Sequence, residues 1–327
     1  MGDTSLADTV YYQDLGHGIS CIDTMLQRRG LAACYLLEHG GMAGFIDTGT
    51  NNSVPILCEV LRRKGIAPTA VAYIMPTHVH LDHAGGAGGL MQQFPNATLI
   101  IHPRGARHMI APAKLEAGSL EVYGEEEFGK LFGRLTAVDA GRIQIAEDGF
   151  ELDFNGRRLV FLDTPGHARH HYVVYDELSR GLFTGDTFGA SYPELNCGRS
   201  RFIFPPTTPI QFDPLAWQSS LDRLMTLDPQ RVFVTHFGMH EDVPAMKTLL
   251  RQSIQDHADT AEDLAQEPDR CDRIAQSLLQ ASIDYLLDAQ CGIDVDTIRA
   301  LIGRDMELNA QGLDHWLSTL QAHSVGP

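Results

Sequence analysis

The sequence predicts a layered α/β domain followed by a helical extension. Three observations carry this reading: short apolar runs alternating with Gly- and Asp-rich turns from Gly16 to Phe237, amphipathic helices interspersed among them, and a switch to purely helical spacing from Ala245 to Pro327. Residues 33–37 read as a strand, and residues 42–46 as its neighbour across the His39-Gly40-Gly41 turn. Residues 54–64 put Ile56, Val60 and Leu61 on one side of a helix. Further strands are expected over 71–75, 97–101, 158–162, 172–175, 181–184 and 231–235. In the last stretch, Met246, Leu249, Leu250, His257, Ala261 and Leu264 recur at helical spacing. So do Ile274, Leu278, Leu279, Ser282 and Leu286, then Leu313, Trp316, Leu317 and Leu320. Gly292 and Gly303 are expected to stop helices. A domain of residues 1–244 and an extension of 245–327 follow, in keeping with a 327-residue chain at about 150 residues per domain.

Charge narrows the function classes. With 42 acidic and 25 basic side chains, the formal net charge is −17. A surface this acidic repels phosphate backbones and anionic lipid, so neither nucleic acid nor a membrane is an expected partner. No apolar run approaches the roughly 18 residues of a membrane span. Residues 1–6 show neither a secretion signal nor a myristoylation pattern, because Leu6 stands where the latter needs Ser or Thr. The six cysteines include no C-x-x-C pair, so reduced thiols in a cytoplasmic protein are the expectation. Fifteen histidines are many, and their positions carry the chemistry.

Residues 77–86 read Thr77-His78-Val79-His80-Leu81-Asp82-His83-Ala84-Gly85-Gly86. His78 and His80 follow the strand expected over 71–75, where residues at i and i+2 point to the same side and can close on one metal ion. Asp82 and His83 come next, where glycines let the chain turn into a helix, and can face a second ion. Four ligands do not complete two sites. Three later segments supply more, each ending an expected strand: His167 after Leu162-Asp163-Thr164-Pro165-Gly166, Asp186 after Leu182-Phe183-Thr184-Gly185, and His236 after Val232-Phe233-Val234-Thr235.

In this order the motifs resemble those of the metallo-β-lactamase superfamily, in its soluble binuclear hydrolase branch. The resemblance runs over roughly residues 16–240 and includes Phe45-Ile46-Asp47-Thr48-Gly49 as a first motif. It implies an αββα four-layer sandwich and two divalent metal ions. His78, His80 and His167 would hold the first ion, Asp82, His83 and His236 the second, and Asp186 would bridge them. Asp82 and Asp186 are the carboxylates expected to take part in catalysis. Asp47 and His171 are expected to orient the ligands from behind. Zinc suits imidazole and carboxylate ligands best, and iron or manganese accept the same set. A water shared by two such ions would have its pKa lowered towards about 7 and could attack a carbonyl without a nucleophilic Ser or Cys. One departure from the family pattern is Phe237, which separates His236 from Gly238.

The expected substrate is a small ester, thioester or lactone. The stretch after Asp186 carries Phe188, Tyr192, Phe202 and Phe204 with few cations beyond Arg199 and Arg201, so it reads either as an apolar wall above the metals or as a cap packed on the sheet. Two alternatives keep the fold: a mononuclear non-haem iron persulfide dioxygenase using His78, His80 and His167, and a metal-binding regulator without turnover. The run His102-Pro103-Arg104-Gly105-Ala106-Arg107-His108 stands out beside the metal motif, and neither of its histidines is expected to be a ligand.

Overall fold

A computed structural model describes residues 9–197, 201–207 and 210–324. Arg199 and the N-terminal residues 1–6 lie outside the described residues. The described chain divides into two compact units. Residues 9–163, 170–185 and 229–241 form the first; the remainder form the second.

The first unit contains a seven-stranded sheet whose strands lie side by side in chain order: β1 (Tyr12–Asp14), β2 (Ile19–Asp23), β3 (Ala33–His39), β4 (Met42–Ile46), β5 (Val71–Met75), β6 (Thr98–Ile101) and β7 (Ile143–Ile145). β1 to β4 form an antiparallel meander, whereas β4 to β7 are parallel. Parallel neighbours need crossovers of a dozen or more residues. Helices supply them: α1 (Val54–Lys64) between β4 and β5, α2 (Leu81–Ala84) and α3 (Ala87–Gln93) between β5 and β6, and α4 (Ala106–Ile110), α5 (Ala113–Tyr123) and α6 (Glu125–Leu131) between β6 and β7. A second sheet contains β8 (Phe150–Phe154), β9 (Arg157–Asp163), β10 (Tyr172–Asp176), β11 (Gly181–Ala190), β12 (Arg231–His236) and β13 (Gly238–His240), in the order β13-β12-β11-β10-β9-β8.

β3 shows why its sequence is apolar throughout. Cys34 and Leu36 point to one side and join Phe45, Leu57, Val60, Leu90 and Phe94 in a core with α1 and α3. Ala33, Tyr35 and Leu37 point to the other side and meet Phe154, Phe161, Phe183 and Phe233 from the second sheet. Both faces of the strand are buried, so alternation of apolar and polar residues disappears. The Tyr35 hydroxyl donates 2.6 Å to the Val234 carbonyl, tying the sheets together. Arg157 and Asp176 form a fully buried bidentate pair at 2.9 and 2.6 Å.

The second unit holds α7 (Pro214–Met225), α8 (Val243–Asp263), α9 (Arg270–Asp288) and α10 (Val295–Ser324). Three expectations need correction here. Gly303 does not end a helix. α10 runs through it because Ile298, Ile302, Met306, Ala310, Leu313 and Leu317 bury a continuous stripe, which outweighs the roughly 1 kcal/mol that one interior glycine costs. Cys197 and Cys291 are not free thiols. They are joined by a disulfide with Cα atoms 5.2 Å apart, while Cys21, Cys34, Cys58 and Cys271 stay free. Of the two readings of the stretch after Asp186, the apolar wall falls, because β11 continues to Ala190 and bridges Phe204. Its aromatics are no open wall: Phe188, Tyr192, Phe202 and Phe204 are buried, with Tyr192 donating to Asp305 at 3.1 Å and Phe202 against Tyr285.

Candidate metal centre

β5 ends at Met75, and after bends at Thr77, His78 and His80 the chain enters α2. Within this bent segment the two imidazoles converge. His78 Nε2 and His80 Nδ1 approach to 2.8 Å, with ring centroids 4.3 Å apart. Asp82 and His83 lie in the single turn of α2. The Asp82 Oδ2 atom stands 3.6 Å from His83 Nε2 and 3.2 Å from His236 Nε2, the latter arriving at the end of β12. One ligand atom from each of Asp82, His83 and His236 falls within 4.8 Å of the others. In the second unit, His167 Nε2 stands 3.2 Å from Asp186 Oδ2.

The opposite nitrogens of these rings are held. His83 Nδ1 meets the Asp47 carboxylate at 2.8 Å, and His236 Nδ1 meets the Leu31 carbonyl at 2.8 Å. His167 Nδ1 meets the Pro206 carbonyl at 2.6 Å, and His78 Nδ1 meets the Thr77 hydroxyl at 3.1 Å. A carboxylate or carbonyl only accepts, so His83, His236 and His167 carry their proton on Nδ1 and turn the Nε2 lone pair inward. Imidazoles that bind metals are arranged in this way. The donor set therefore fits a divalent ion on its own chemistry.

Asp47 lies just past β4 with a left-handed φ of 56°, a conformation Asp tolerates better than most residues. That backbone aims a fully buried carboxylate at the Thr77 backbone N–H (2.7 Å), the Thr77 hydroxyl (2.9 Å), the Thr235 hydroxyl (2.7 Å) and His83. One side chain thus joins the segments that carry His78, His83 and His236. His171 is fully buried and stacks on His78 at 4.7 Å. Gly185, at φ 48°, makes room for it, since a Cβ there would meet the Thr77 hydroxyl and lie 2.6 Å from His171 Nε2. The roles of Thr77 and Thr235 escape a search for ligands, although each directly precedes a candidate histidine in a Thr-His pair.

Two sheets whose strands and strand ends bring His/Asp clusters together define a protein equipped to bind divalent metal ions. The chain belongs to the metallo-β-lactamase superfamily, whose family model matches residues 28–236. It is 28% identical over 214 residues to the metallo-β-lactamase fold-containing protein ST1585 of Sulfurisphaera tokodaii, covering 64% of this chain and 74% of that protein. It is also 28% identical to a hydroxyacylglutathione hydrolase of Xanthomonas campestris, over 57% of this chain and 54% of the relative. The chain thus spans about three quarters of the first relative and about half of the second. Among solved structures, the metallo-β-lactamase family protein TTHA1429 of Thermus thermophilus superposes with a TM-score of 0.66 at 23% identity, covering 96% of both chains. That likeness extends the shared fold to the C-terminal helices. No helix among the described residues is long and apolar enough to cross a membrane.

Proposed function

We propose that this protein is a binuclear zinc hydrolase acting on a small ester, thioester or lactone. In this reading His78, His80 and His167 would hold one ion, Asp82, His83 and His236 would hold the other, and Asp186 would serve both. The single observation that carries it is the Asp82, His83 and His236 cluster, whose two imidazoles have Nδ1 committed elsewhere and Nε2 turned to a shared carboxylate. The hydroxyacylglutathione hydrolases among the relatives favour a thioester within the substrate class.

When bound, the ions polarise a carbonyl and make water nucleophilic near neutral pH. The chain's own residues do the rest. Asp47 and the Leu31 carbonyl keep the His83 and His236 rings in one tautomer and one orientation. Asp82 is about a quarter exposed, so its carboxylate is accessible from solvent and can orient an incoming water by accepting from it. The buried Asp186 carboxylate supplies negative charge beside His167.

Elemental analysis after metal-replete purification tests the proposal, with about two divalent ions per chain expected and a reproducible ratio of one or zero against it. A lactone, an aryl ester, a glutathione thioester, a cyclic nucleotide and single-stranded RNA should then be assayed with one batch. Cleavage of a carbonyl substrate is the expected outcome. Nucleotide or RNA cleavage with inert esters would overturn the substrate class.

A further inference from the structure

We infer that Arg107, buttressed by His108 on α4, forms a subsite for a carboxylate carried by the substrate. The inference rests on the proposed hydrolase reading and refines it, giving the ester, thioester or lactone an anionic arm.

Four observations lead there. First, the segment before α4 is packed against the metal motif itself: a Cβ on Gly105 would come within 2.8 Å of Val79 Cγ1, and Val79 lies between His78 and His80. Second, a line of rings leads outward from the candidate ligands. His170 stacks on His78 at 6.1 Å and meets His80 edge-on at 5.4 Å, and His108 meets His170 at 6.5 Å. Third, Arg107 ends this line, with its Nε donating 3.3 Å to His108 Nε2. The acceptor nitrogen of His108 is thereby occupied, and burial together with the neighbouring guanidinium lowers its pKa. His108 is then a neutral prop, and the permanent positive charge is the arginine's.

Fourth, Arg107 makes no ion pair among the described residues, in a chain with 42 acidic side chains. Asp163 is engaged by His102, five residues before Arg107, at 3.1 Å. An exposed guanidinium whose Nε is already held is suited, through its Nη atoms, to the planar, two-oxygen geometry of a carboxylate. Its position several ring widths from His80 places that carboxylate at the far end of a molecule whose carbonyl lies at the ligands. On a molecule of net charge −17, such a cationic subsite also selects against polyanions, which need many cations.

The test compares an aryl acetate with the matching aryl hydrogen succinate on the wild type and on Arg107→Gln and Arg107→Lys. A KM lower by about tenfold is expected for the succinate ester in the wild type, the value of one hydrogen bond to a charged group. In Arg107→Gln the ratio of the two KM values should fall towards one, with the change in KM and not in kcat, and Arg107→Lys should restore part of it. A ratio unchanged in Arg107→Gln would overturn the inference. If neither ester turns over, the hydrolase reading is in question, and calorimetric titration of the metal-replete protein with glutarate still decides the subsite. Weakening of glutarate binding by about tenfold in Arg107→Gln supports it, and equal affinity refutes it.

Discussion

Asp47→Asn isolates how the ligand cluster is oriented, because it removes a charge and an acceptor while leaving the volume almost unchanged. The Asp47 Oδ1 atom accepts from the Thr77 N–H and hydroxyl, and Oδ2 accepts from Thr235 and His83. In the asparagine variant the amide oxygen can keep the Thr77 N–H, and both threonine hydroxyls can rotate to new roles. His83 has no such freedom. An NH2 group would face its Nδ1–H, donor against donor, so the ring must move its proton to Nε2. That proton would then occupy the lone pair aimed at Asp82 and the second ion. We expect metal affinity to fall about 10–100-fold, as for other residues that support a ligand from behind, or about 1.4–2.7 kcal/mol. Folding of the metal-free protein should lose only about 1–2 kcal/mol, since one hydrogen bond is lost and the site stays filled. Competition with a fluorescent chelator measures the first quantity and urea unfolding the second. Nitrogen NMR of the His83 ring adds a direct reading, with the protonated nitrogen switching from Nδ1 to Nε2. Affinity within twofold of wild type, with the His83 tautomer unchanged, would refute the reasoning.

Asp186→Ala should weaken both ions together, and elemental analysis showing full occupancy with normal activity would remove Asp186 from the site. The Cys197–Cys291 disulfide spans a sequence separation of 94, for which reduction should cost typically about 2–4 kcal/mol. Thiol counting should find four free cysteines in the unfolded, unreduced chain and six after reduction, and unfolding with and without reductant reads the stability. His257 is buried in α8 with Nδ1 donating to Ser253, and burial lowers its pKa from 6.5 to about 4. The unfolded chain therefore binds the extra proton between those values, and stability should fall as pH drops from about 6.5 to 4, by about 3 kcal/mol in all. Urea midpoints in that window should decline more in the wild type than in His257→Leu, and parallel declines would exclude His257 as the cause.

What could be read from the sequence follows which groups carry information in their side chains. His78, His80, Asp82 and His83 lie within six residues, so strand geometry alone suggests a shared target. His236 ends β12, Asp186 sits inside β11 and His167 follows β9, all strands that their apolar runs make visible. The supports behind them are less visible. Two of the acceptors that hold the rings are the backbone carbonyls of Leu31 and Pro206, which any residue type could provide. The disulfide was equally hidden, since nothing in a separation of 94 residues distinguishes Cys197 and Cys291 from four cysteines that remain free. α5 has little amphipathic contrast, with no buried residue among its described side chains, so the spacing rule that finds α1 finds nothing there.

The aromatic stretch after Asp186 shows a different kind of limit. A run of Phe and Tyr beside a ligand is consistent with a substrate wall and with a core, because both bury apolar surface and only the partner differs. Here Tyr192 reaches Asp305, Phe202 meets Tyr285, and the Thr207 hydroxyl donates to the Asn309 carbonyl, so the C-terminal helices are the partner. The apolar area that would have held an acyl chain is already spent on this packing. Substrate recognition then falls to other groups, among them the exposed Arg107 inferred above. A hydrolase built in this way should discriminate by an anionic group on its substrate more than by the length of an alkyl chain. Extending an aryl ester from acetate to butyrate should therefore change kcat/KM less than adding one carboxylate does, and a steady gain of several-fold per methylene, the signature of an apolar pocket, would contradict the packing argument.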